Sequence, residues 1–147
     1  MHHLRNFYIV RTSWLYGPHG KNFVDTIHQM ASEGKTLRVV SDQYGTPTCT
    51  LTLSETIADL IPSGRWGIYH ATDGGVTNWY EFACEIVKGM GVEVVPIATS
   101  EMPRPATRPK YSVLDKTGLV HTIGREVVPW QKALESYLNL RLQKLPA

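Results

Sequence analysis

Cysteine is scarce in this sequence. Its 147 residues hold two, Cys49 and Cys84, in no CxxC arrangement. That excludes a disulfide scaffold and points to a reducing cytoplasm with two buried thiols. An excess of charge of one sign is also missing: 15 Lys and Arg stand against 13 Asp and Glu, a formal +2. So small an excess excludes a general nucleic-acid or membrane binder, and any anion recognition must be local. No stretch approaches the roughly 18 to 20 apolar residues of a membrane span. The amino terminus has neither the basic region nor the apolar core of a signal peptide. What is present, 42% hydrophobic and 19% charged residues, suits one globular domain able to bury a core.

The motifs of a self-sufficient catalyst are missing too. There is no GxGxxG, and Gly17 and Gly20 are followed by Phe23 where a GxxGxxG would need its third glycine. Gly20-Lys21 lacks the flanking residues of a phosphate-binding P-loop, and neither HExxH nor GxSxG occurs. No tyrosine has a lysine four residues later, so the Tyr-x-x-x-Lys acid of short-chain reductases is absent. His19, His28, His70 and His121 show no metal-ligand spacing.

The pattern alternates strands with helices. Phe7 to Val10, Leu37 to Val40, Gly67 to Ala71 and Val92 to Ile97 are β-prone, and the first of these reads as a buried strand. After Asn22, Phe23, Ile27, Met30 and Ala31 recur at helical spacing until Gly34. Thr52 with Glu55 and Asn78 with Glu81 both show capping-box spacing. The first opens a helix that ends at Pro62, and the second opens a stripe from Trp79 to Met90. Pro129 and Trp130 start a last helix, and the proline-rich stretch 102–109 is a loop. The alternation predicts an α/β chain with some parallel pairing.

Four motifs carry a resemblance. They are Arg11-Thr12-Ser13-Trp14-Leu15-Tyr16-Gly17 with Gly20-Lys21-Asn22-Phe23; Asp42-Gln43-Tyr44-Gly45-Thr46-Pro47-Thr48; Gly67-Ile68-Tyr69-His70 with Trp79-Tyr80-Glu81-Phe82-Ala83; and Arg104-Pro105-Ala106-Thr107-Arg108-Pro109 with Ser112. In this order and spacing the chain resembles the carboxy-terminal half of the dTDP-4-dehydrorhamnose reductases, extended short-chain dehydrogenase/reductases. The resemblance implies an α/β fold made of a substrate-binding subdomain plus the last strands of a Rossmann-like NAD(P)-binding fold. It divides one truncated domain into 4–50, the sheet end and substrate loop, and 51–147, the substrate-binding subdomain. The family reduces a 4-keto sugar nucleotide, in dTDP-L-rhamnose biosynthesis, with NADPH or NADH. A chain without the glycine-rich loop is expected to bind neither cofactor alone.

The resemblance also implies site residues, each with a plainer reading beside it. Trp14 walls the sugar at a strand end, or is a core tryptophan. Thr12 and Ser13 touch the nicotinamide end of a cofactor, or satisfy nearby backbone. Gln43 and Thr46 offer donors and acceptors to a sugar nucleotide, or belong to a solvated turn. Asn22 binds a phosphate or sugar oxygen, or only caps its helix. Arg104 and Arg108 suit the two charges of a nucleoside diphosphate, or form a solvated basic loop. Tyr69, Trp79 and Tyr80 can stack on thymine, but the helical stripe makes Trp79 a core residue, and all three are left outside the site.

The partners implied are a dTDP-sugar and either a second copy or a chain supplying the missing half, with no nucleic acid and no membrane. A rival reading is a non-catalytic regulatory or binding protein of the same fold, like the regulatory subunit of methionine adenosyltransferase. Because the sequence holds neither phosphate-cradling loop nor proton donor, the purified 147-residue chain should not reduce dTDP-4-dehydrorhamnose with either nicotinamide cofactor. Turnover that survives rigorous repurification contradicts this.

Overall fold

The computed structural model describes residues 5–103 and 105–142. Strand β1 (Tyr8–Arg11) leads through β2 (Leu15–Tyr16) into helix α1 (Phe23–Ser32). Then come β3 (Leu37–Val40), β4 (Tyr44–Gly45), β5 (Thr48–Cys49) and α2 (Thr50–Leu60). They are followed by β6 (Gly67–His70), β7 (Thr77–Asn78), α3 (Trp79–Ile86) and β8 (Val94–Ile97), and last by α4 (Thr117–Ile123) and α5 (Trp130–Leu142). β1 pairs with β6, β2 with β5 and β3 with β8, all parallel, while β4 and β7 are antiparallel. The expected mixed α/β class with parallel pairing is what the chain adopts. Among the described residues, no helix is long and apolar enough to cross a membrane.

Local chemistry explains the helices. Asn22 caps α1: its Oδ1 accepts from the Asp25 N–H at 3.0 Å, leaving Val24, Ile27 and Ala31 on the buried face. Asn78 caps α3 in the same way through the Glu81 N–H at 2.8 Å, and Phe82, Ala83 and Ile86 turn inward. These two helices pack together and, with α5, enclose the larger core, which includes Tyr16, Leu37, Phe82, Trp130 and Tyr137. A second cluster of Leu60, Ala71, Leu119 and Val127 fills the space between α2, α4 and the inner face of β1 and β6.

Three expectations need correction. The strand expected over Phe7 to Val10 is buried on one face only. Tyr8 and Val10 pack on the second cluster, but Ile9 and its partner Ile68 remain 46% and 57% exposed. Thr52 does not open a capping box, because α2 already begins at Thr50 with Cys49 as its cap residue. The Thr52 hydroxyl instead lies 2.9 Å from the Cys49 carbonyl and 2.6 Å from Asp73 Oδ1, a shared donor. Finally, α4 lies where no helix was expected, ended by Gly124 in the left-handed conformation, φ 70°.

Asp73 is 3% exposed and ties the segment leaving β6 to the start of α2. Its Oδ2 accepts from the Cys49 N–H at 2.9 Å, and its Oδ1 from Thr52. Burial raises its carboxyl above the ordinary 3.8, with the Thr52 and Cys49 bonds and the Lys116 charge opposing. Asp73→Ala strands the Cys49 N–H and should cost about 1 to 3 kcal/mol in urea unfolding. The native state holds the Asp73 proton more tightly than the unfolded chain. This group's contribution to stability is therefore complete below 3.8 and is lost as pH rises through the raised native value. Asp73→Asn, which cannot titrate, should abolish that dependence. A wild-type-minus-Asn difference that stays flat with pH contradicts the assignment.

Candidate functional site

A pocket of about 620 Å³ opens between α1, β3, the first turn of α3 and the segment after β8. Phe23, Ile27 and Met30 of α1 and Leu37 and Val39 of β3 make one apolar wall, and Trp79 makes another. Polar groups are few: Thr26, Arg38, Gln43, Thr99, Thr107 and Arg108. Apolar lining with a few convergent polar groups is the usual form of a small-molecule site, and the volume lies within the usual range. Arg38 is engaged by Glu101 at 3.1 Å. Arg108 has no ion pair among the described residues, so its guanidinium is available to an anion.

The loop 42–49 is not a solvated turn. Gln43 and the run from Gly45 to Cys49 are buried, and the strand pairs β4–β7 and β2–β5 bind the segment on two sides. Asp42 anchors its start: Oδ1 accepts from the Thr99 N–H at 3.0 Å and from the Thr99 hydroxyl at 2.6 Å. Those bonds, the hydroxyl's foremost, hold the Asp42 carboxyl below its ordinary value. Gln43 Nε2 donates to the same Thr99 Oγ1 at 3.0 Å.

The expected site residues separate into two groups. Gln43 and Arg108 line the pocket. Arg104 lies outside the described residues. Thr46 is 0% exposed and gives its hydroxyl to the Gly75 carbonyl at 2.9 Å, and Ser13 gives its own to the Thr46 carbonyl at 3.0 Å. Asn22 is occupied as a cap, its amide nitrogen bonded to the Gly17 carbonyl at 3.0 Å and Asp25 Oδ2 at 2.9 Å. Thr12 Oγ1 is buried with no partner among the described residues. It is the one unspent group of the Thr12–Ser13 pair at the end of β1. One hydroxyl does not make a dinucleotide cradle, so the described residues do not by themselves fit a nicotinamide cofactor, and no hydride step is derived from them.

Trp14 stands behind the pocket wall. Its ring stacks on Trp79 with centroids 3.6 Å apart and planes 13° apart. A Cβ on Gly45 would fall 2.6 Å from Trp14 Cε2 and Cζ2, so the Gly45 backbone packs directly against the indole. Trp14 takes φ 47°, an uncommon conformation for a bulky side chain that only strong packing holds. Trp79 and Thr99 are among the pocket residues that sequence reasoning missed. Asn78 as cap residue puts Trp79 at the first helical position, where a side chain reaches past the helix end. That placement, rather than the apolar stripe, was the available signal. Thr99 offers no such signal in the sequence.

Comparison with known proteins places this geometry in a family. Residues 1–142 match the family described as RmlD substrate binding domain. The spore coat polysaccharide biosynthesis protein SpsK of Bacillus subtilis is 42% identical over 135 residues, 90% of this chain and 47% of its own length. The dTDP-4-dehydrorhamnose reductase of Streptomyces griseus is 42% identical over 118 residues, 75% of this chain and 39% of its own. Among solved structures, the Bacillus anthracis dTDP-4-dehydrorhamnose reductase in complex with NADP aligns at a TM-score of 0.85 and 38% identity. That alignment covers 90% of this chain and 48% of that one. The chain therefore spans less than half the length of these relatives.

Because a Cβ at Gly45 has no room beside Trp14, Gly45→Ala should disturb the Trp14–Trp79 stack and cost about 1 to 3 kcal/mol. Urea midpoints and the near-ultraviolet circular dichroism of the stacked indoles test this. Unchanged stability and an unchanged spectrum would sink it.

Proposed function

Since the chain belongs to the RmlD substrate binding domain family, we propose that it is the carboxy-terminal, sugar-nucleotide-binding part of a dTDP-4-dehydrorhamnose reductase. The observation that carries the proposal is the pocket itself: a largely apolar cavity lined by Phe23, Trp79 and Arg108, the last without an ion pair among the described residues. A nucleoside diphosphate has a matching polarity, with a flat ring and a deoxyribose to desolvate and a diphosphate that seeks guanidinium groups. Arg104, four residues earlier in the same proline-bearing loop, serves as the second cation in this reading. Trp14 acts through Trp79, holding that wall in place.

The work of this chain is binding and orientation. Reduction of the 4-keto group, with NADPH or NADH as the hydride source, belongs to the full-length enzyme, and this chain alone holds no cofactor. The segment up to 50 supplies the sheet end, and the rest supplies the substrate-binding subdomain. Phe7, Ile9 and Ile68 form the face that a second copy or a chain supplying the other half covers. The free thiols Cys49 and Cys84 suit a reducing compartment, and the cytoplasm is the location this reading proposes.

Calorimetry with dTDP tests the reading. The wild-type chain should bind, and Arg108→Ala should lose about 1.5 kcal/mol, roughly tenfold in affinity. Arg108→Lys should fall between them, because it keeps the charge and loses the planar fork. Absence of wild-type binding at millimolar dTDP, or equal affinity in all three proteins, overturns the proposal.

A further inference from the structure

We propose that Gln43 is a specificity-determining residue: Thr99, itself set by Asp42, fixes the Gln43 amide so that its oxygen accepts the imide N–H of thymine or uracil and disfavours cytosine. The inference rests on the pocket being the nucleotide site.

The argument is a count of protons. A threonine hydroxyl has one. At Thr99 it goes to Asp42 Oδ1, at 2.6 Å, and the Thr99 N–H binds the same oxygen at 3.0 Å. Asp42, whose Oδ1 takes both Thr99 bonds and whose carboxyl they hold below its ordinary value, is ionised at neutral pH and has no proton to return. Thr99 Oγ1 is then left with lone pairs only, and the group that can meet them is the NH2 of Gln43, 3.0 Å away. Turning the amide over would set two acceptors face to face. The orientation therefore follows from the network, where an isolated amide would leave oxygen and nitrogen interchangeable.

The consequence appears at the other end of the amide. Gln43 Oε1 has no hydrogen-bond partner among the described residues, and the side chain lines the pocket while the residue is 7% exposed. A mostly buried, fixed acceptor selects a ligand that brings a donor and penalises one that brings a lone pair. Thymine and uracil present N3–H at the centre of their pairing edge. Cytosine presents a bare N3 there. The aromatic walls of Phe23 and Trp79, tilted at 59° with centroids 4.7 Å apart, give no such choice, because every base has a π-face. Discrimination thus falls to Gln43, with Thr99 and Asp42 as positioning residues.

The experiment is calorimetry with dTDP and dCDP on the full 147-residue chain and on Thr99→Val, Gln43→Met and Arg108→Ala. Wild type should prefer dTDP by about tenfold or more. Thr99→Val frees the amide to present either end, and Gln43→Met removes the acceptor, so in both the ratio should fall toward one. Arg108→Ala should weaken both nucleotides equally and keep the ratio. A wild-type ratio near one, or a ratio unchanged in both Thr99→Val and Gln43→Met, overturns the base assignment even where Arg108→Ala weakens binding. If dTDP fails to bind wild type, or binds Arg108→Ala as well as wild type, the site reading fails instead, and this inference with it.

Discussion

Two aspartates hold the stretch from Asp42 to Cys49, one at each end, and the pocket depends on both. At the front, Asp42 takes two hydrogen bonds from Thr99 and joins the loop to the segment after β8. At the back, Asp73 accepts from the Cys49 N–H and joins it to the segment after β6. Between them all but Tyr44 is buried, and the segment is hydrogen-bonded, with Thr46 on Gly75 and Ser13 on Thr46. A carboxylate removed from water is costly unless its lone pairs are filled. Filling them with backbone and hydroxyl donors of distant segments turns that cost into tertiary specificity. The loop therefore has one path, and Gln43 and Gly45 each reach one place.

The Gly45 placement extends the constraint to the aromatic wall. With the Gly45 backbone against Trp14, the indole lies against Trp79, and Trp79 forms the side of the cavity. Phe23 abuts Trp79 from the start of α1, which the Asn22 cap fixes. The pocket is thus assembled from helix starts and loop ends, while the strands beneath supply the rigid floor. This division of labour is common where binding groups must be placed on a scaffold.

How much of this was legible in the sequence varied with the range of the signal. α1, α3 and α5 were readable because cap residues and apolar spacing agree within a few positions, and β3 and β6 because short β-prone runs sit between turn residues. α4 was not, since seven residues containing Gly118 give too little repeat to count. The one-sided burial of β1 was also hidden, because Phe7 to Val10 is apolar on both faces and only tertiary context decides which is covered. Gln43 and Arg108 came from motif resemblance. The roles of Thr46, Ser13 and Thr52 as internal ties could not be seen, because each hydroxyl's partner lies elsewhere in the fold or competes with a local one. Thr99 became visible only through its bonds to Asp42 and Gln43, more than fifty residues away in the chain.

The parallel pairings bear on how the chain reaches this state. Tyr8 finds Gly67, and Leu37 finds Val94, so each of these ladders closes only after a long intervening segment has been brought back. Loop-closure entropy is lost before any such ladder bond is gained, which favours early local helices and late sheets. Until β6 arrives, the apolar β1 has two open edges and no covered face. The period before closure is then the chain's most exposed moment toward other copies of itself, and the speed of ladder closure governs its yield on refolding.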